Sequence, residues 1–236
     1  MAFVSHEHKL VFFAAPGTGS SAVIRVFLDH GIGELWPRED LIAEGKRVTP
    51  SKHSTIRQLN AGGLLAPLKG YFRFAGVRNP FSWYVAIYLR NRTARMRNIA
   101  NQKSWIYQLP EAERDRYIAR LREQYEMSFA EYLRDLLGHH KAIDMQAEYH
   151  RHMDYYLHQE RLAEDFELVK ERCGLPAEMT VPVFNVTGAM EEGKDYRDFY
   201  TPKLVAYVYK KNRPFFHKFP EYEFDGLKAE PALAAG

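Results

Sequence analysis

The sequence predicts an α/β fold, a central, mainly parallel sheet flanked by helices, and three observations carry that prediction. A short run that is apolar at every position, Leu10 to Ala14, passes through Ala15-Pro16-Gly17-Thr18-Gly19-Ser20-Ser21 into a helix-like stretch, Ala22 to His30. A strand apolar on both faces and followed by a helix is the pattern of a buried parallel strand. A second junction of the same kind follows, where Tyr71 to Val77 reads as a strand and Asn79-Pro80 opens a helix over Phe81 to Leu89. Asparagine suits the N-cap and proline the first helical position. The third observation is size: 236 residues with 46% hydrophobic and 14% aromatic content can bury one substantial core.

The remaining elements follow in order. Arg47-Val48-Thr49 is expected as a short second strand after the crossover from the first. Residues 90 to 152, rich in Arg, Glu, Gln and Tyr, read as a helical excursion from the sheet, with helical spacing in Tyr117, Ile118 and Leu121 and again in Phe129, Tyr132, Leu133 and Leu136. Asp154 to His158 is expected to return as a late strand. Leu162, Phe166, Val169 and Cys173 then mark the inner face of a helix that Gly174-Leu175-Pro176 terminates. A last helix follows the Thr201-Pro202 cap, with an aromatic end at Phe215, Phe216 and Phe219. One domain over 1–226 and a loose tail over 227–236 are expected.

Charge and cysteine narrow the function classes. With 33 basic and 30 acidic residues the net charge of +3 is too balanced for a general nucleic-acid binder. The single cysteine, Cys173, cannot form an internal disulfide, which fits a reducing compartment, with the cytoplasm as the default. No stretch approaches the ~18 to 20 apolar residues of a membrane span, and Met1 to Lys9 carries no signal-peptide pattern.

The chemistry is expected at the two junctions. In the first loop, two glycines let successive backbone N–H groups converge, and Ser20 and Ser21 add hydroxyls beside the positive end of a helix dipole. The guest is a phosphate-type anion. The loop holds no lysine, which rules against a Walker A site with its Gly-Lys-Ser/Thr ending. The second junction ends its strand in Arg78 rather than the acid that a P-loop nucleoside triphosphatase uses to hold Mg²⁺. An arginine there pairs bidentately with phosphate, and no metal is expected.

Together, Pro16-Gly17-Thr18-Gly19-Ser20-Ser21 and Val77-Arg78-Asn79-Pro80 resemble the two nucleotide motifs of the sulfotransferases that use 3′-phosphoadenosine 5′-phosphosulfate (PAPS), in particular the soluble bacterial and carbohydrate-type members. Glu160 to Phe166 with Cys173-Gly174-Leu175 resembles the family's late strand-to-helix segment, and Tyr196 to Pro202 its start of the C-terminal helix. The likeness spans most of the chain outside residues 90–152. It implies a P-loop-like sulfotransferase fold with a helical insertion as an acceptor wall. It also implies PAPS as donor, a sugar, glycolipid or small natural-product hydroxyl as acceptor, and no metal. Residues 16 to 21 would grip the 5′-phosphosulfate, and Arg78 with Ser82 the 3′-phosphate. Two positions depart from the family: Gly17 stands where it commonly has lysine, and Ala86 where it has the serine that holds the 3′-phosphate. Lys52 and Arg25 are the candidate replacement cations. Ser51 to Leu59, expected to begin a helix, resembles the segment in which carbohydrate-type members place a histidine base, which makes His53 the expected proton acceptor. A nucleotide-binding module without efficient transfer and an ATP-dependent kinase are the rival readings.

Other features have plainer readings. His139, His140, His150 and His152 lack the pattern of a zinc site. The arginine series from Arg90 to Arg97 and from Arg114 to Arg122 reads as solvated helix faces, with an anion-attracting rim as the functional alternative. Trp105 and Tyr107 are candidates for stacking on an acceptor ring.

Overall fold

The computed structural model describes residues 2–43, 46–51, 54–138, 147–182 and 195–228. The chain divides into two compact units, 1–78 with 144–185 and 79–143 with 186–236.

The first unit is built on a five-stranded sheet. Its strands are β1 (Ala2–Ser5), β2 (Leu10–Phe13), β3 (Glu34–Trp36), β6 (Phe72–Val77) and β7 (Tyr155–His158), in spatial order β3-β1-β2-β6-β7. β2 pairs in parallel with β6, and β6 with β7, while β1 runs antiparallel to both its neighbours, so four of five strands point the same way. The expected strands at 10–14, 71–77 and 154–158 are therefore present within a residue or two. The expected neighbour of the first is not. Residues 46–49 form β5 (Lys46–Thr49), which pairs antiparallel with β4 (Leu41–Ala43) in a separate two-stranded ribbon. A four-residue turn after β1 permits only an antiparallel partner for β2, which fills the place assigned to the Arg47 strand. All four β1 residues are buried, whereas a strand opening on Lys46 and Arg47 is ill suited to a sheet interior.

Alternating side chains divide the core between the two sheet faces. Phe3, Phe12, Phe74 and Leu157 pack against Val23, Ile24 and Phe27 of α1 (Ser20–Asp29) and Phe166 and Val169 of α7 (Leu162–Cys173). Phe27 is the pivot, its ring centroid 4.8 Å from Phe3 and 5.7 Å from Phe166. On the other face Val4, Val11, Phe13 and Ala75 meet Leu59 of α2 (Ile56–Ala61), Leu68 and Tyr149. α7 ends as expected at Gly174, whose φ of 61° is left-handed, and Leu175 N–H donates back to the Lys170 carbonyl at 3.0 Å.

The second unit is helical. It contains α3 (Pro80–Arg92), α4 (Ala94–Ala100), α5 (Glu111–Glu126), α6 (Phe129–Gly138), α8 (Pro202–Lys211) and α9 (Arg213–Lys218), with a ribbon of β8 (Tyr222–Glu223) and β9 (Gly226–Leu227). Asn79 Oδ1 accepts the Phe81 N–H at 3.0 Å and Thr201 Oγ1 accepts that of Leu204 at 3.4 Å, the two caps expected. Phe81, Trp83, Tyr84, Tyr88, Phe129, Tyr132, Leu133, Leu204 and Val208 form one core, with Ile87 at its margin. The helical excursion is thus α4 to α6, but residues 147–152 belong to the first unit. Arg90, Arg97, Arg116 and Arg122 are exposed, as expected of solvated faces, but others of the series are engaged. The Arg92 guanidinium lies 3.8 Å over the Tyr88 ring, Arg95 donates to Asn91 Oδ1 at 2.6 Å, and Arg120 pairs with Asp135. Tyr107 donates its hydroxyl to Ile99 O at 2.6 Å, while Trp105 is exposed beside Tyr117. Among the described residues no helix is long and apolar enough to cross a membrane.

Candidate anion-binding site

The parallel strands β2, β6 and β7 end together, at Phe13, Val77 and His158, and that edge of an open α/β sheet is where ligands bind. Beyond Phe13 the chain turns sharply through Ala15 to Gly19. Gly17 (φ 78°) and Gly19 (φ 76°) take left-handed backbone that a side chain resists, and Gly19 is the N-cap of α1. The Ala15 carbonyl holds the turn closed, accepting from Thr18 Oγ1 at 2.8 Å and Ser20 Oγ at 2.9 Å. The first turn of α1 carries no acidic residue, so no carboxylate of its own occupies the positive end of the helix.

Close packing fixes the loop to the sheet. Thr18 is 1% exposed and lies on Gly76 of β6, where a Cβ would stand 2.8 Å from the Thr18 Cβ. Gly19 is equally tight against Leu162 at the start of α7. His150, also buried, donates from Nε2 to the Gly76 carbonyl at 3.0 Å. It is a core histidine held by backbone.

Arg78, one residue beyond β6, donates from Nη1 to the Gly17 carbonyl at 3.2 Å. Arg78 of the second motif and Gly17 of the first therefore meet. The expected hydroxyl donors behave differently. The Ser20 proton is directed to Ala15 O, and Ser21 is exposed on α1, which leaves the backbone N–H groups and Arg78 as the principal donors of the cradle. Pro16 and Gly17 are half-buried at its rim. Arg25 is exposed on α1. Ser82 belongs to the second unit, where its hydroxyl donates to Asn79 O at 3.1 Å inside the first turn of α3. Lys52 and His53 lie outside the described residues, as do His139 and His140. α2 starts at Ile56 rather than ahead of residue 53. Thr55, in extended backbone, is its N-cap in a reciprocal box with Gln58.

The sequence reading missed a buried polar cluster at the end of β7. Asp165 Oδ2 accepts from the His158 N–H (2.6 Å) and from its Nδ1 (2.7 Å), while Oδ1 accepts from Tyr155 Oη (3.0 Å) and lies 3.1 Å from Arg161 Nε. Asp165 is 2% exposed. An acid in the first turn of a helix normally reads as a solvated N-terminal charge, and only the apolar neighbours Leu162 and Phe166 hinted that this one faces inward. The carboxylate clamps α7 to β7 beside Gly19. Asp165→Asn turns one acceptor into a donor facing the His158 N–H groups and is expected to cost about 3 kcal/mol or more of stability. Urea unfolding checks this, and a loss below about 1 kcal/mol would remove the clamp from the account.

No family model, no curated protein and no solved structure matches the chain.

Proposed function

We propose that the chain is a PAPS-dependent sulfotransferase, moving a sulfuryl group to an acceptor hydroxyl of a sugar, glycolipid or small natural product. The observation that carries this reading is the Arg78 guanidinium seated on the glycine turn at the Gly17 carbonyl. It puts a permanent cation at the end of β6, beside the glycine turn, where a nucleoside triphosphatase would keep a metal-binding acid. A cradle lined by Gly17 and Gly19 admits a phosphosulfate close to the backbone, so the residues fit the donor.

Residues 16 to 21 grip the 5′-phosphosulfate, and Arg78 takes the 3′-phosphate. The donor supplies a sulfuryl group whose bond to the phosphate oxygen breaks as a new S–O bond forms to the acceptor, leaving 3′-phosphoadenosine 5′-phosphate (PAP). His53 takes the acceptor's proton, and the loop N–H groups, with Lys52 as candidate cation, stabilise the charge left on PAP. The plain consequence is that activity survives chelators.

Calorimetry with PAP and with ATP, each with and without EDTA, is the direct test. PAP should bind tightly and indifferently to chelator, whereas Mg²⁺-dependent ATP binding without PAP binding overturns the proposal in favour of a kinase. His53→Ala is expected to lower turnover by about 10²- to 10⁴-fold while sparing PAP affinity. An unchanged turnover removes His53 from the mechanism. The second reading, a PAP-binding module with weak or no transfer, is favoured by one observation. Gly17 replaces the family lysine and sits at φ 78°, a conformation that a long side chain takes up at a cost. PAP binding without turnover over a broad acceptor panel would establish it.

A further inference from the structure

The opposite edge of the same sheet, where β2, β6 and β7 begin, holds a cleft of about 690 Å³ between the β1–β2 turn, the start of β6 and the end of α7. We propose that this cleft is a second binding site, for a small molecule bearing a phosphate or sulfate ester.

Three cations from three separate elements line it: Lys9 from the turn, Arg73 from β6 and Arg172 from the last turn of α7. The acid in its wall, Asp154, is engaged by backbone. Its Oδ2 accepts the Arg73 N–H at 2.8 Å, and its own N–H donates to the Arg73 carbonyl at 2.7 Å. The cations therefore outnumber the acid, and the acid is already satisfied in part. Arg172 is also positioned, its guanidinium 5.0 Å over the Phe72 ring, which lowers the ordering cost of using it on a ligand.

The backbone points to the same place. Among the described residues, two that are not glycine have positive φ, Lys9 at 47° and His152 at 56°, and both line this cleft. Left-handed backbone at a non-glycine residue is held by its surroundings at some cost, and such residues gather at binding sites. A glycine or asparagine would serve a simple turn better, so what lysine adds at position 9 is its charge. The volume falls in the range of small-molecule sites, several times that of one inorganic anion, so the ester group is one end of a larger guest. Cys173, also in the wall, is no nucleophile there: burial pushes its thiol up to about 11, and it stays protonated at neutral pH. The cleft is built to bind.

Phenyl phosphate and phenyl sulfate, titrated separately into ¹⁵N-labelled full-length protein, test this. The expected result is saturable amide shifts at residues 8–9, 71–73, 152–154 and 172–173 with at least one ester. The tighter of the two identifies which ester the cleft takes. Lys9→Asn is expected to weaken that binding by about tenfold or more, and Arg172→Gln likewise. Lys9→Asn should melt no lower than the parent, because asparagine tolerates the left-handed backbone. The proposal is overturned if neither ester saturates this edge, if shifts are confined to residues 15–21 and 78, or if Lys9→Asn binds with unchanged affinity.

Discussion

Gly76→Ala is expected to destabilise the first unit and, with it, to spoil the anion cradle. The added Cβ would stand 2.8 Å from the Thr18 Cβ and 3.3 Å from the Thr18 carbonyl. Neither side can yield cheaply. β6 is held between β2 and β7, with Gly76 opposite Leu157, and Thr18 is buried with its hydroxyl fixed on Ala15 O. Overpacking of this kind costs about 1–3 kcal/mol, or roughly 2–4 °C of melting temperature per kcal/mol in a chain of this size. The displaced partner is the loop itself, so PAP affinity should fall further than stability alone explains. Thr18→Gly removes the side chain in the way, and in that background Gly76→Ala should cost much less. Equal costs in the two backgrounds would show that the contact is not the cause.

Arg78→Ala is the change expected to weaken PAP binding most. In the proposed function the guanidinium holds the 3′-phosphate, and truncating one member of a charged, hydrogen-bonded pair costs about 2–5 kcal/mol of binding, or on the order of 30- to 5,000-fold. Arg78→Lys should recover only part of this, because an ammonium cannot bond the Gly17 carbonyl and an anion with the same planar fork. Calorimetry with PAP on the wild type and both variants measures the effect. Unaltered PAP affinity in Arg78→Ala would overturn the assignment of this junction.

What could be read from the sequence was local. The strands at 10–13 and 72–77, the Asn79 and Thr201 caps and the Gly174 stop each announce themselves within a few residues, through apolar runs and capping chemistry. Pairing was harder. Arg47 to Thr49 is a strand, but whether it joins the main sheet depends on what else competes for the edge of β2, and β1 wins through proximity along the chain. The candidate site divides in the same way. That residues 16–21 form a turn at a helix start was legible, and so was the strand-end position of Arg78. That Ser20 spends its proton on Ala15 O, and that Asp165 turns inward to His158, depends on packing that no spacing encodes. His53, the expected base, lies outside the described residues, and the helix thought to carry it starts later, at Ile56.

The sheet of the first unit is assembled from two pieces of chain, 1–78 and 144–185. β7 is therefore made long after its neighbour β6, with the whole of 79–143 between them. On the ribosome the outer edge of β6 stays open throughout that interval, and its unsatisfied N–H and C=O groups are available to any other extended segment. The last strand to arrive also brings Asp165 and the contact with Gly19, so the cradle takes its final form only when synthesis has passed α7. Order of synthesis thus separates the making of the loop from the making of the site.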